Sequence, residues 1–267
     1  MTVRYVQVTR PETVVLYGDC WPVMSAVQAV VQALRPSYRC VQVYDTINLA
    51  RQLSRGTPAG LIFCLRPREH LFLFYAVKNC LQYIPSMIVC DEIYFTDNIM
   101  IKATGNIPVM THGPLAEMVR QYRHGERAGL FSHLKESSNV LATFVAKPCL
   151  PEHACELPDI FDTQEMLMGY LQGLAYNELS KAGITLFQQR ILRGMRGGSQ
   201  SLEALSTLSG RGEKRVSHER KMLPVRLGMP SRLPALLYGT QFYEAIQRTP
   251  FTLAETFNLH TETAQCE

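Results

Sequence analysis

Nowhere is this 267-residue chain apolar for long enough to cross a bilayer: its longest unbroken runs, such as 60–65 and 71–77, fall far short of the eighteen or more residues a span needs. No membrane partner is expected. The first twelve residues carry Arg4, Arg10 and Pro11 but no apolar core followed by a small-residue cleavage site. Secretion is therefore not signalled, and a cytoplasmic location is expected. Internal repeats and low-complexity tracts are also missing. So are the signatures of common enzymes: there is no Walker A loop, no GxSxG and no HExxH, and Gly194-Met-Arg-Gly-Gly lacks the spacing of a dinucleotide loop. No enzyme is expected. The eight cysteines, without a secretion signal, read as reduced thiols rather than a disulfide framework. None stands in CxxC spacing. Cys149, His153 and Cys155 offer three potential ligands and no obvious fourth, so neither metal nor cofactor is expected.

Charge is modest in total, at 27 Lys and Arg against 23 Asp and Glu, for a net of +4. It is not evenly spread. Residues 181–240 hold eleven Lys and Arg against Glu203, Glu213 and Glu219, a net of +8, which leaves −4 for the rest of the chain. A slightly acidic body is joined to a basic block, the charge pattern of a nucleic-acid binder.

Across 13–123, short apolar runs alternate with amphipathic segments of helical length, as in βα units around a parallel sheet. The pattern predicts strands at 13–17, 40–44, 60–65, 86–90 and 107–110. Helices are predicted at 24–34, 47–55, 71–82, 96–104 and 115–124. The fold class is then α/β for a five-stranded, doubly wound N-terminal domain (10–125). An irregular, proline-bearing connector follows (126–180), with a linker or dimerisation helix over 165–179. The basic block is all-α (181–247), and a polar tail closes the chain (248–267), expected to be loose from about Thr252.

Within the basic block, Thr185 and Gln188 form a capping box ahead of Ile191, Leu192 and Met195, and Gly197-Gly198 ends that helix. Ser201 opens a short helix with Leu202, Leu205 and Leu208 on one side. Gly210 and Gly212 bracket a turn. In the helix that follows, Lys214, Ser217, His218 and Lys221 share one stripe while Val216 and Leu223 lie on another face. Such a helix can sit in a major groove with its back on a small core. Pro224 removes an amide and is expected to end or kink this helix near Leu223. A last amphipathic segment over 232–246 would close the bundle. Arg190, Arg193 and Arg196 are expected to meet phosphates rather than bases.

These residues resemble the helix-turn-helix domain of the LuxR/FixJ class of bacterial transcription factors. Ile184-Thr185 stands where that family has Leu-Thr. Glu213-Lys214-Arg215-Val216-Ser217-His218 stands where it has Glu-Lys-Thr-Val and a nearby His, and Leu227-Gly228-Met229 where it has Leu-Gly-Val. The departures are Gln188 for a glutamate, Gly212 for a serine, Arg215 for a threonine, one extra residue between Leu208 and Lys214, and Pro224. The resemblance implies that Lys214, Arg215, Ser217, His218, Arg220 and Lys221 meet double-stranded promoter DNA.

The N-terminal part resembles the receiver domain of response regulators. Gly18-Asp19 stands where that family has two acidic residues, Cys64 where it has the phosphorylated aspartate, and Cys90 and Thr111 where it has the switch hydroxyl and the lysine. The resemblance implies a pseudo-receiver that phosphotransfer cannot switch, similar to enterobacterial auxiliary regulators of the Rcs type. It further implies a homodimer, or a heterodimer with another LuxR-type regulator, on the nucleoid. Two other readings remain. The chain could be an interaction module that modulates another transcription factor without reading DNA specifically, or a thiol sensor acting through Cys64 or Cys90.

Overall fold

The computed structural model describes residues 12–123, 140–198, 201–253 and 257. Five parallel strands form one sheet in the order β2-β1-β3-β4-β5. They are β1 (Thr13–Gly18), β2 (Arg39–Val43), β3 (Gly60–Cys64), β4 (Ser86–Cys90) and β5 (Val109–Thr111). β3 and β4 are buried at every position, which is why they read as unbroken apolar runs rather than alternating ones. β5 lies slightly further along than the expected 107–110.

Helices cover both faces, and the two-residue period of the strands divides the core accordingly. Val14, Leu16 and Ile62 face α1 (Trp21–Leu34) and α5 (His112–Arg123), joined by α6 (Val140–Ala146). Val15, Tyr17 and Phe63 face α2 (Thr46–Ser54), α3 (Leu71–Leu81) and α4 (Phe95–Ala103). α6 falls inside the span expected to be irregular. At seven residues it leaves little periodicity to read, yet it packs closely enough that its Phe144 ring lies 3.1 Å from where a Cβ on Gly60 would stand. The earlier part of that span, 124–139, lies outside the described residues.

The remaining connector is held by a buried lysine. Lys78 on α3 donates to the carbonyl of Leu157 at 2.8 Å and pairs with Asp159 at 2.8 Å. Cys155 donates its thiol to the carbonyl of Ala103, while Cys149 is exposed. α7 (Gln164–Lys181) then spans two cores: Leu167, Met168, Leu171 and Ala175 lie in the α/β core, and Leu179 in that of the C-terminal helices. α7 thus runs from one core to the other.

Among the described residues four helices follow: α8 (Leu186–Arg196), α9 (Leu202–Ser209), α10 (Glu213–Arg226) and α11 (Leu233–Gly239). The expected closing segment 232–246 is therefore not one helix. It breaks after Gly239, and a single 3₁₀ turn covers Glu244–Ile246. Beyond it the chain returns to the α/β domain, where Phe251 stacks on Tyr75 and the buried Phe257 accepts the Cys80 thiol through its carbonyl. Phe257 of the tail is thus held against α3, while 254–256 and 258–267 lie outside the described residues. Among the described residues no helix is long and apolar enough to cross a membrane.

Candidate nucleic-acid interface and the pocket of the α/β domain

The cap chemistry of the basic block is as the sequence suggests. Thr185 Oγ1 accepts from the Gln188 amide at 3.3 Å while Gln188 Oε1 accepts from the Thr185 amide at 2.9 Å. Ser201 caps α9 by accepting from the Ala204 amide, and Gly210 ends it at φ +66°. α8 and α9 approach closely at Gly194, where a Cβ would lie 2.7 Å from a Leu205 methyl. Gln188 does more than cap. It is 1% exposed, and its amide nitrogen donates to Glu219 Oε2 on α10 at 2.6 Å, while Arg226 donates to its oxygen at 3.2 Å.

α10 buries Val216 and Leu223 in one core with Ile191, Leu192, Met195 and Leu205, and Pro224 is buried as well. Lys214, His218 and Lys221 are exposed on its other side, with Ser217 half-buried between them. Arg215 is exposed but lies off that stripe, its guanidinium 5.6 Å from the centre of the Phe187 ring on α8. Arg220 is half-buried and, with Ser217 and Lys221, lines a groove of about 390 Å³ whose other wall is Ser231, Arg232 and Leu233. Arg190 and Arg193 are exposed. Arg196 is half-buried, donating to the Thr240 carbonyl at 2.6 Å and hydroxyl at 2.7 Å, which takes it away from phosphate contact.

Pro224 does not end α10, which continues to Arg226. A proline withholds its own N–H from the ladder and crowds the carbonyl four residues back, so it disturbs the turn before it rather than the bonds after it. Here it sits in the last turn, where Leu227 still donates to the Leu223 carbonyl at 3.1 Å and Met229 to that of Pro224 at 2.8 Å. The four stripe residues all precede it.

In the α/β domain, the loops at the C-terminal edge of the sheet enclose a pocket of about 270 Å³. Asp19, Cys64 and Cys90 all line it, as the strand ends bring them together. Thr111 pairs with Cys90 in register, but its neighbour His112 is what reaches the pocket. Burial raises the Cys64 thiol far above its ordinary value and that of Cys90 to about 12, the opposite of what a sensing thiolate needs.

Four charged residues that sequence reasoning passed over complete the pocket. Asp91, next after β4, pairs with Arg66, and this hydrogen bond pulls its carboxyl down to about 2. Arg66 also meets Glu69 at 2.9 Å. Arg248, from beyond the basic block, pairs with Asp19 and with Glu69. The His70 imidazole and then the Arg248 charge hold the Asp19 carboxyl at about 2. Asp91 and Arg66 could have been found as polar residues directly following strands. Nothing in the sequence near Arg248 announces its destination. Among the described residues no group of three or more His, Cys, Asp and Glu is arranged to hold a metal ion.

No protein-family model matches the chain, and no curated protein matches it. Solved structures do, among them two RcsB complexes. One holds two RcsB dimers bound to two parallel DNAs, the other the two-component response regulator RcsB in complex with DNA. Each is 12% identical to this chain over 85% of its length and 96% of theirs, with a TM-score of 0.50. The chain has the fold of an Rcs-type response regulator. Its receiver-like sheet and its helix-turn-helix domain follow one another as they do there. Within that receiver-plus-helix-turn-helix fold, α9 and α10 are the turn's two helices and the α/β pocket lies where the receiver strands end.

Proposed function

We propose that the chain is a LuxR-type DNA-binding transcriptional regulator in which Lys214, Ser217, His218 and Lys221 meet the major groove, with Arg220 at its edge. The observation that carries this reading is α10 itself: donors stand exposed on one side while Val216 and Leu223 are fully buried on the other. Arg215, lying over Phe187, serves the fold and the phosphate backbone rather than base edges. The aspartyl phosphorylation that drives response regulators does not control this chain. Cys64 offers a buried, protonated sulfur in place of a carboxylate nucleophile, and the nearby carboxylates are already paired with arginines. Such a regulator acts as a dimer with itself or with another LuxR-type protein, on the nucleoid. The test is a gel shift on selected promoter fragments. Replacing Lys214 and Lys221 together by Ala weakens retention at physiological salt, and unchanged retention counts against this face.

A second reading draws on the other domain. Trp21, Tyr44 and Ile47 are 64%, 51% and 71% exposed at the sheet edge where β1 and β2 end. Exposed apolar side chains near one end of the sheet suit a protein contact. Co-purification of a partner regulator while the pure protein selects no DNA would favour an interaction module over a DNA reader.

A further inference from the structure

The chain beyond α11 returns to the α/β domain and makes a contact at almost every side chain from Gln247 to Phe251. The Gln247 side chain accepts from the Leu71 amide at 2.9 Å and donates to the Arg68 carbonyl at 2.9 Å. It thereby caps the N-terminus of α3, whose own N-cap residue, His70, supplies no side-chain cap. The Arg248 amide donates to the Glu69 carbonyl at 2.8 Å, and its guanidinium pairs with Asp19 and Glu69. Thr249, 4% exposed, meets His70 Nδ1 at 2.8 Å. Phe251 stacks on Tyr75, with ring centres 5.9 Å apart and planes at 14°, and meets Phe72 edge-on.

We propose that the edge of the α/β domain between Asp19 and Tyr75 is a peptide-recognition site for the segment Gln-Arg-Thr-Pro-Phe, occupied in cis by residues 247–251. Occupancy tethers the helix-turn-helix domain to the α/β domain. The combination has the marks of a site rather than of incidental packing: a guanidinium between two carboxylates, two main-chain hydrogen-bonding groups read by one amide side chain, a buried hydroxyl and an aromatic shelf. It does not depend on the DNA-binding reading.

Two amides report on it directly, those of Leu71 and of residue 248, since both donate across the contact. In the full chain carrying Arg248→Ala with Phe251→Ala, both exchange with deuterium about tenfold or more faster, while amides inside α8 keep their protection. The emptied site then captures a fluorescent peptide of residues 243–253 added in trans, and the peptide restores Leu71 protection. The unaltered chain does not capture it, and an added Asp19→Ala abolishes capture. Exchange at wild-type rates in the variant overturns the proposal, as does failure of the peptide to bind or to restore protection. A concentration-dependent dimer of the unaltered chain that loses protection at Leu71 on dilution overturns the cis assignment, because the segment would then come from a second copy.

Discussion

Gln188 stands where LuxR-type domains have a glutamate, and its neighbours give the reason. Its amide nitrogen donates to the Glu219 carboxylate at 2.6 Å in a place that is almost fully buried, and a carboxylate cannot donate. Gln188→Glu therefore keeps the capping box but sets two carboxylates in contact. The expected loss is about 1–3 kcal/mol at neutral pH, read by urea unfolding. The loss shrinks on acidification, when a protonated glutamic acid can donate in place of the amide. At Asp19 the sign runs the other way. Its carboxyl sits at about 2 in the folded chain against an ordinary 3.8, so its contribution to stability is complete above 3.8 and is lost as pH falls toward 2. Asp19→Asn flattens the pH dependence of unfolding across that window. Asp91, held low by Arg66, and the lowered carboxyls of Asp45 and Glu92 keep part of the slope. A variant with the slope of the unaltered chain would show that the pairing of Asp19 with Arg248 and His70 contributes nothing.

At the scale of elements, α10 matters most. The exposed cations of its stripe, Lys214, His218 and Lys221, precede Pro224, so a test of DNA binding should separate the stripe from the proline. Removing one lysine–phosphate interaction lowers the dependence of log affinity on log salt by about 0.9. If Lys214 and Lys221 both meet phosphates, their double Ala variant loses nearly two units of slope, whereas Pro224→Ala leaves the slope unchanged. A slope unaltered in the double variant would assign the two lysines to solvent. Much of this element was legible in the sequence, with Val216 and Leu223 on one face and Lys214, His218 and Lys221 on the other, as were the caps of the two helices before it, Thr185 and Ser201. The sheet was legible too, because β3 and β4 are continuous apolar runs. What could not be read depends on partners distant in sequence. Pro224 is tolerated because α10 needs only one more turn there. Arg196 is drawn inward by Thr240. Arg248 meets Asp19 across 229 positions, and no local pattern encodes such a meeting.

For the molecule as a whole, the question is whether the two domains behave as one body. Tyr94 at the start of α4 packs with Met229 and Ala235, and Phe95 touches the cores on both sides. Glu92 accepts from Arg232 at 2.6 Å, an exposed pair worth about 1 kcal/mol or less. The junction therefore depends on apolar packing, and Gly239 sets its closeness. A Cβ there would lie 2.3 Å from the Met229 methyl, which can move, and 2.8 Å from Tyr94 Cβ, which cannot move without shifting α4. Gly239→Ala should thus cost about 1–3 kcal/mol, the usual penalty for overpacking, and place that cost on the junction rather than inside either core. α7 threads both cores and residues 247–251 bind the sheet edge, so the unaltered chain is expected to melt in one transition with equal calorimetric and van't Hoff enthalpies. In Gly239→Ala the junction weakens and the two enthalpies diverge as the helical domain melts first. Lys214, His218 and Lys221 are exposed with the domains docked, so the same variant should bind DNA as the unaltered chain does. A variant that gains affinity many-fold would instead make the packing of α4 on α11 a brake on binding, and one that melts unchanged would make it no junction at all.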